Sequence, residues 1–181
     1  MKTLRIIAFF AATLLSPAGC TLPMWTEGEV PFVETPIEVV DRMLDMAQVK
    51  KDDVLYDLGS GDGRIVIRAA KRFGTRGVGI EIDRDLVSRS RVAAKREGVA
   101  DLVEFRRQDA LTVNLSEATV VTLYLLPEFN AKLRPILQKQ LKPGARVVSH
   151  DFGIEGWKPD REEKIPDGIL HEHTIYLWTI R

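Results

Sequence analysis

The sequence predicts an α/β fold: a mostly parallel sheet with helices on both faces that finishes in an antiparallel pair. Three observations carry this. Short apolar runs alternate with segments of helical period along most of the chain, the pattern of βαβ units. Val120 to Leu125 is unbroken apolar sequence, as expected for a strand covered on both faces. Val54 to Gly63, VLYDLGSGDG, reads as strand, tight loop and helix entry, with Gly59, Gly61 and Gly63 where the backbone must turn or pass close to a ligand. A chain of 181 residues is long enough for one domain with a substantial core and too short for two ordinary ones.

The N-terminus stands apart. Lys2 and Arg5 precede the apolar run Ile6 to Leu15, and Ala18 and Gly19 follow directly before Cys20, which is a signal-peptide layout. The run is half the ~20 residues that a membrane-spanning helix needs. Cleavage is expected, or lipidation at Cys20, although Pro17 departs from the usual lipidation site; an inert cysteine is the alternative reading. Residues 1–23 are therefore read as a signal-like hydrophobic segment and 29–181 as the domain, with Met24 an alternative start.

Thr35-Pro36-Ile37-Glu38 has the composition of a capping box with proline at the first helical position, and the helix is expected to reach about Gln48. Ile37, Val40, Leu44 and Ala47 mark its inner face. The preceding Val30-Pro31-Phe32-Val33 is either an arm covering the core or a flap over a ligand. After the glycine loop, Ile65, Ile67, Ala69, Ala70 and Phe73 suit a partly buried helix that Gly74 stops, and Gly77 to Ile80 forms the second strand. Asp83 is placed to cap a third helix with Leu86, Val87, Ser90 and Ala94 inside, and Gly98 ends it. Leu102 to Phe105 is the next strand. The helix containing Phe129, Leu133, Ile136, Leu137 and Leu141 is expected to be interrupted or restarted at Pro135. Lys142-Pro143-Gly144 is a turn, Ala145 to Phe152 a strand, and Thr174 to Ile180 a terminal strand with a short partner around Lys164-Ile165.

Charge decides what the glycine loop holds. Asp57 and Asp62 would repel a pyrophosphate, so a cationic ligand suits them better. The spacing G-x-G-x-G also lacks the dinucleotide fingerprint, and no Lys-Ser/Thr pair closes a P-loop. Glu81 ends the next apolar run at the position where a carboxylate takes ribose hydroxyls. An adenosine without phosphates fits, and S-adenosylmethionine adds a sulfonium and an ammonium for the carboxylates to face. Candidate cofactor contacts are Asp57, Gly59, Ser60, Gly61, Asp62, Gly63, Glu81 and Ile82, with Asp109 and Ala110 at the adenine ring. Tyr124 to Glu128 lies beyond the carboxyl end of a central strand, where acceptor contacts are expected. Tyr124 and Glu128 are the catalytic candidates, and Phe32 and Pro127 the substrate-side ones.

Basic and acidic side chains balance at 26 each, which argues for a protein or small-molecule acceptor over nucleic acid. The basic residues of the third helix, Arg84, Arg89, Arg91, Lys95 and Arg96, are read as a solvated face. One cysteine excludes a disulfide framework, and His150, His171 and His173 have no zinc-motif spacing, so no metal is expected.

Asp57-Leu58-Gly59-Ser60-Gly61-Asp62-Gly63 with Glu81, Asp109-Ala110 and the Leu141-Lys142-Pro143-Gly144 turn resembles the class I S-adenosylmethionine-dependent methyltransferases. Pro31-Phe32-Val33, Arg64-Ile65-Val66-Ile67, Pro127, Phe152 and Trp157-Lys158-Pro159-Asp160 are similar to the protein-lysine methyltransferases that modify the ATP synthase c-subunit and the adenine nucleotide translocase. The resemblance implies a Rossmann-like seven-stranded mostly parallel sheet with an antiparallel last strand. It also implies methyl transfer from S-adenosylmethionine to a protein lysine, membrane-associated in those families. The alternatives are a small-molecule or RNA acceptor, or a non-catalytic envelope lipoprotein that retains the cofactor. Leu125-Leu126-Pro127-Glu128 differs from the Asn/Asp-Pro-Pro-aromatic motif of base-amine methyltransferases. Glu128 and Ser149-His150-Asp151 lie outside the likeness. On location two arguments conflict, since the signal features favour the envelope whereas cofactor supply requires the cytoplasmic side.

Overall fold

The computed structural model describes residues 32–167 and 171–181; the expectations for residues 1–23, Met24 and Val30-Pro31 lie outside the described residues. Parallel strands β1 (Val54–Leu58), β2 (Arg76–Glu81), β3 (Val103–Arg107), β4 (Val120–Leu123) and β5 (Arg146–His150) join β6 (Arg161–Asp167) and β7 (His171–Thr179) in one sheet of order β3-β2-β1-β4-β5-β7-β6. β7 runs antiparallel to both β5 and β6. The expected antiparallel ending is present, and the partner of the last strand is a full seven residues long.

Helices α1 (Ile37–Met46), α2 (Arg64–Phe73) and α3 (Arg84–Arg96) bury their apolar sides on one face of the sheet, and α4 (Pro127–Gln140) covers the other. β1 and β4 are buried at every position, which accounts for their continuous apolar sequence. From β1 the chain winds outward to β2 and β3, then returns to place β4 on β1's other side. Strand order reverses there, and a crevice opens beyond the carboxyl ends of β1 and β4.

Two local expectations fail for tertiary reasons. Pro36 is the N-cap of α1, with no side-chain cap, and the buried Thr35 hydroxyl instead meets His150 Nδ1 at 3.2 Å. With the helix start so placed, Val39, Val40, Met43, Leu44 and Met46 form its buried side and Ile37 is exposed. The second failure is at Pro135, which does not break α4: the helix runs through it from Pro127 at its first turn. Leu133 and Leu137, both fully buried, flank the proline, and their burial offsets the backbone hydrogen bond it cannot make.

Pro135 is exposed, so its ring contributes little to packing. Pro135→Ala is expected to stabilise the protein by about 1–3 kcal/mol through the restored helical hydrogen bond. A urea midpoint that rises is the predicted result; one that falls shows the helix is adapted to its proline.

Candidate active site

A cavity of about 590 Å³ fills the crevice. Its floor is the glycine loop. Gly59, Gly61 and Gly63 all have positive φ, between 54° and 81°, and the amides of Gly59 and Ser60 both donate to the Ile80 carbonyl at 2.9 Å. A Cβ on Gly59 would stand 2.7 Å from Leu125 Cδ2, and one on Gly61 would run into the Phe32 ring. The loop therefore needs glycine both for its turns and for the close approach of the cavity walls.

Glu81, at the end of β2, ties this loop to the next one. Its Oε2 accepts the Gly61 amide at 2.9 Å, while Oε1 accepts the amides of Ile82 and Asp83 at 2.7 and 2.9 Å. Asp83 in turn caps α3, as its sequence position suggests, by accepting from Asp85 and Leu86. Beyond β3, Asp109 caps a short 3-10 turn through the Leu111 amide and lines the cavity beside buried Ala110. Ile82 is 66% exposed on the same wall, an apolar side chain presented to the cavity.

The two loop aspartates differ. Asp57 is buried at the end of β1 and accepts the Thr122 hydroxyl at 2.7 Å. Burial first, then the nearby Glu81 and Asp62 charges, push its carboxyl up to about 7 against the opposing Thr122 bond. Asp62 is engaged by Arg64, whose guanidinium forks onto it with Nε at 2.9 Å and a terminal nitrogen at 2.6 Å. The same guanidinium holds the Thr35 carbonyl at 3.0 Å and Glu34 at 3.0 Å, which fastens the arm bearing Phe32 to the loop. The pairing of Asp62 with Arg64 is not visible in the loop motif itself. Between the aspartates, Ser60 Oγ is buried at the cavity without a hydrogen-bond partner.

Of the residues expected on the acceptor side, Phe32 and Tyr124 line the cavity. Pro127 and Glu128 do not: both are exposed in the first turn of α4, and the cavity residue from that turn is Phe129. Gly63 also lies off the lining, acting as the left-handed N-cap of α2. Behind Tyr124 is a group that sequence spacing does not reveal. His150, Asp151 and His173 have nitrogen and carboxylate atoms within 4.8 Å of one another. They are brought together because β5 and β7 are adjacent, pairing His150 with Ile175. The only local signal is polar residues at the end of an apolar strand. The His171 side chain lies outside the described residues.

A Rossmann-like sheet with this acidic, glycine-floored crevice at the β1–β4 reversal defines the class of S-adenosylmethionine-dependent methyltransferases. A family model, the ANTKMT methyltransferase domain, matches residues 57–161, and the chain belongs to that family. It is 47% identical over 152 residues to a protein-lysine N-methyltransferase of Saccharolobus islandicus (strain REY15A), covering 83% of this chain and 94% of that protein. It is 36% identical over 131 residues to the ATP synthase c-subunit lysine N-methyltransferase of Homo sapiens, covering 72% of this chain. The chain spans 55% of the length of that human relative. Among solved structures, an RNA methyltransferase from Salinibacter ruber in complex with S-adenosyl-L-homocysteine is 62% identical, with a TM-score of 0.76, covering 82% of this chain and 94% of that one.

Asp57 gives the cofactor-free protein a distinctive pH dependence. Its carboxyl titrates near its ordinary value of 3.8 when unfolded and at about 7 when folded, so across that window the native state binds the extra proton. The stability due to Asp57 is present below about pH 4 and is lost as pH rises through about 7. Thermal unfolding followed across this range should show that loss in the wild type and a flatter profile in Asp57→Asn. Parallel profiles would contradict the assignment.

Proposed function

We propose that this methyltransferase transfers the methyl group of S-adenosylmethionine to the side-chain amine of a protein lysine. The observation that carries the reading is the likeness to lysine methyltransferases, 47% identical over 152 residues and 36% over 131. The lining carboxylates Asp57, Asp62, Glu81, Asp83 and Asp109 outnumber the one basic side chain, Arg64, which suits the cationic end of the cofactor. RNA is the second reading, favoured by the activity named for the Salinibacter ruber structure. Against it stands the β4 exit, Leu125-Leu126-Pro127-Glu128, which lacks a base-amine motif. On the basic face of α3, Arg91 is turned to the Phe105 carbonyl and Arg96 pairs with Glu97.

The residues present fit the cofactor. The positive-φ loop leaves the space that Cβ atoms would fill, and the partnerless Ser60 hydroxyl provides a buried donor and acceptor. In this reading Asp57 would hold the methionine ammonium, Glu81 the ribose, and Ile82, Asp109 and Ala110 the adenine. When bound, S-adenosylmethionine supplies a methyl group made electrophilic by the sulfonium. The protein's contribution is alignment, since holding reactants in a near-attack arrangement supplies several kcal/mol, up to ~7–11 in well-oriented systems. Phe32 packs over the loop at Gly61, and Tyr124, on the cavity wall, is assigned to the acceptor. Glu128 and Pro127, exposed at the start of α4, are assigned to guiding the acceptor rather than to proton transfer.

Residues 29–181 are taken as the domain, with 1–23 as a tether that keeps it on the cytoplasmic side near membrane-borne acceptors. Among the described residues no helix is long and apolar enough to cross a membrane. The test is to treat a lysate lacking the protein with the full chain and methyl-labelled cofactor, then digest with protease or ribonuclease and fractionate. Label recovered as methyl-lysine, enriched in membrane fractions, is the expected result. Label released only by ribonuclease would replace lysine with RNA, and a native product with a periplasmic N-terminus at Cys20 would refute the tether.

A further inference from the structure

We propose that Tyr124, Asp151 and the His150–His173 pair form the route by which the acceptor ammonium loses its proton before methyl transfer. The inference rests on the lysine reading above. A lysine amine with a pKa of ~10.4 is almost wholly protonated near neutrality, and its ammonium has no lone pair to attack a methyl carbon. A place for that proton is therefore part of the chemistry. The carboxylates on the cofactor side are committed to loop amides, to a guanidinium or to the cofactor itself.

The acceptor wall offers a connected path. Tyr124 lines the cavity, and its hydroxyl points to Asp151 Oδ2 at 3.4 Å. The same oxygen lies 3.2 Å from His150 Nε2 and 3.3 Å from His173 Nδ1, and the two ring nitrogens are 2.9 Å apart. On their far sides, Thr35 Oγ1 meets His150 Nδ1 at 3.2 Å, and Asp167 lies 3.4 Å from His173 Nε2. The Tyr124 and His150 rings pack at a tilt of 38° with centroids 4.0 Å apart. Asp151 is itself fixed in place. It sits at φ 56°, a left-handed conformation that aspartate tolerates better than most residues, with its amide donating to the Thr174 carbonyl at 2.7 Å and its Oδ1 accepting the Thr174 amide at 2.9 Å. Oδ2 is left facing the phenol and both imidazoles. The histidines are buried, whereas the Asp151 side chain is 21% exposed, which gives the proton an exit to solvent.

In the step, an ammonium N–H bond breaks toward Tyr124 Oη as the phenolic proton passes to Asp151 Oδ2. The proton is then shared with His173 Nδ1 and His150 Nε2. The neutral amine keeps the lone pair and attacks the methyl carbon, and the electrons of the broken carbon–sulfur bond stay on sulfur. Tyr124 is the catalytic residue that touches the acceptor; Asp151 and the histidines act through it. Burial, then the Asp151 charge and hydrogen bond, raise the Tyr124 phenol, so it stays protonated and able to relay. Among the described residues, Asp167 from β6 and Tyr176 from β7 are the other charged or titratable groups near the cluster.

The test uses the full chain, S-adenosylmethionine and a random copolymer of lysine, alanine and glycine, with kcat followed against pH. Tyr124→Phe, which removes only the hydroxyl, and Asp151→Asn should each lower kcat about 10²-fold near neutrality, with unchanged cofactor affinity. The loss should shrink as pH approaches the lysine pKa. It should also shrink with an S-aminoethylcysteine copolymer, whose amine is less basic. A wild type that labels the copolymer while both folded variants retain its kcat and pH profile overturns the relay alone. A wild type that leaves the copolymer unlabelled overturns the lysine reading, and the relay with it. Activity abolished by a chelator and restored by zinc would make the trio a metal site and also overturn the relay.

Discussion

A carboxyl group buried at the end of a central strand is costly to ionise, and the Asp57 site is built around that cost. Its position is set by β1, buried throughout between β2 and β4, and it has one neutral donor, Thr122, to support the charge. Glu81 and Asp62 nearby make ionisation harder still. No basic side chain among the described residues of the lining is placed to relieve it: Arg64 is turned to Asp62 and Glu34. An arrangement that withholds an internal counter-charge is suited to a ligand that brings its own.

The surrounding structure keeps that arrangement from collapsing. Glu81 gathers three backbone amides from two loops, which ties the glycine turn to the start of α3. Arg64 fastens the Phe32 arm to this turn, and the arm's Thr35 reaches across to His150 on β5. The glycine loop and the histidine pair behind Tyr124 are thus linked through one short segment ahead of α1. Packing of Phe32 over Gly61 and the orientation of the histidine pair are consequently connected by direct contacts.

Much of this was legible in the residues because it depends on local rules. The strands and their order of appearance follow from apolar runs, α3 from the Asp83 cap, and the α2 stop from Gly74, which adopts φ 67°. Asp57, Glu81, Asp109 and Tyr124 come from positions at strand ends, and all four line the cavity. What was not legible depends on side-chain partners and tertiary burial. Thr35 looks like a cap until His150, 115 residues away, meets its hydroxyl. Asp62 lines the cavity, but the Arg64 fork that holds it is invisible in the loop motif, and Pro135 reads as a break until Leu133 and Leu137 are found fully buried on either side. The His150–Asp151–His173 group has no spacing signature at all, because it is made by antiparallel pairing of two strands.

The most direct measurement of the central claim is calorimetric titration of S-adenosylmethionine into the full chain at about pH 6, in two buffers of different ionisation enthalpy. With Asp57 titrating at about 7 when free and ionised beside a cationic ligand, binding should release a substantial fraction of a proton. In Asp57→Asn that release should vanish and affinity should fall. Binding without proton release by the wild type, or no binding at all, would contradict the account.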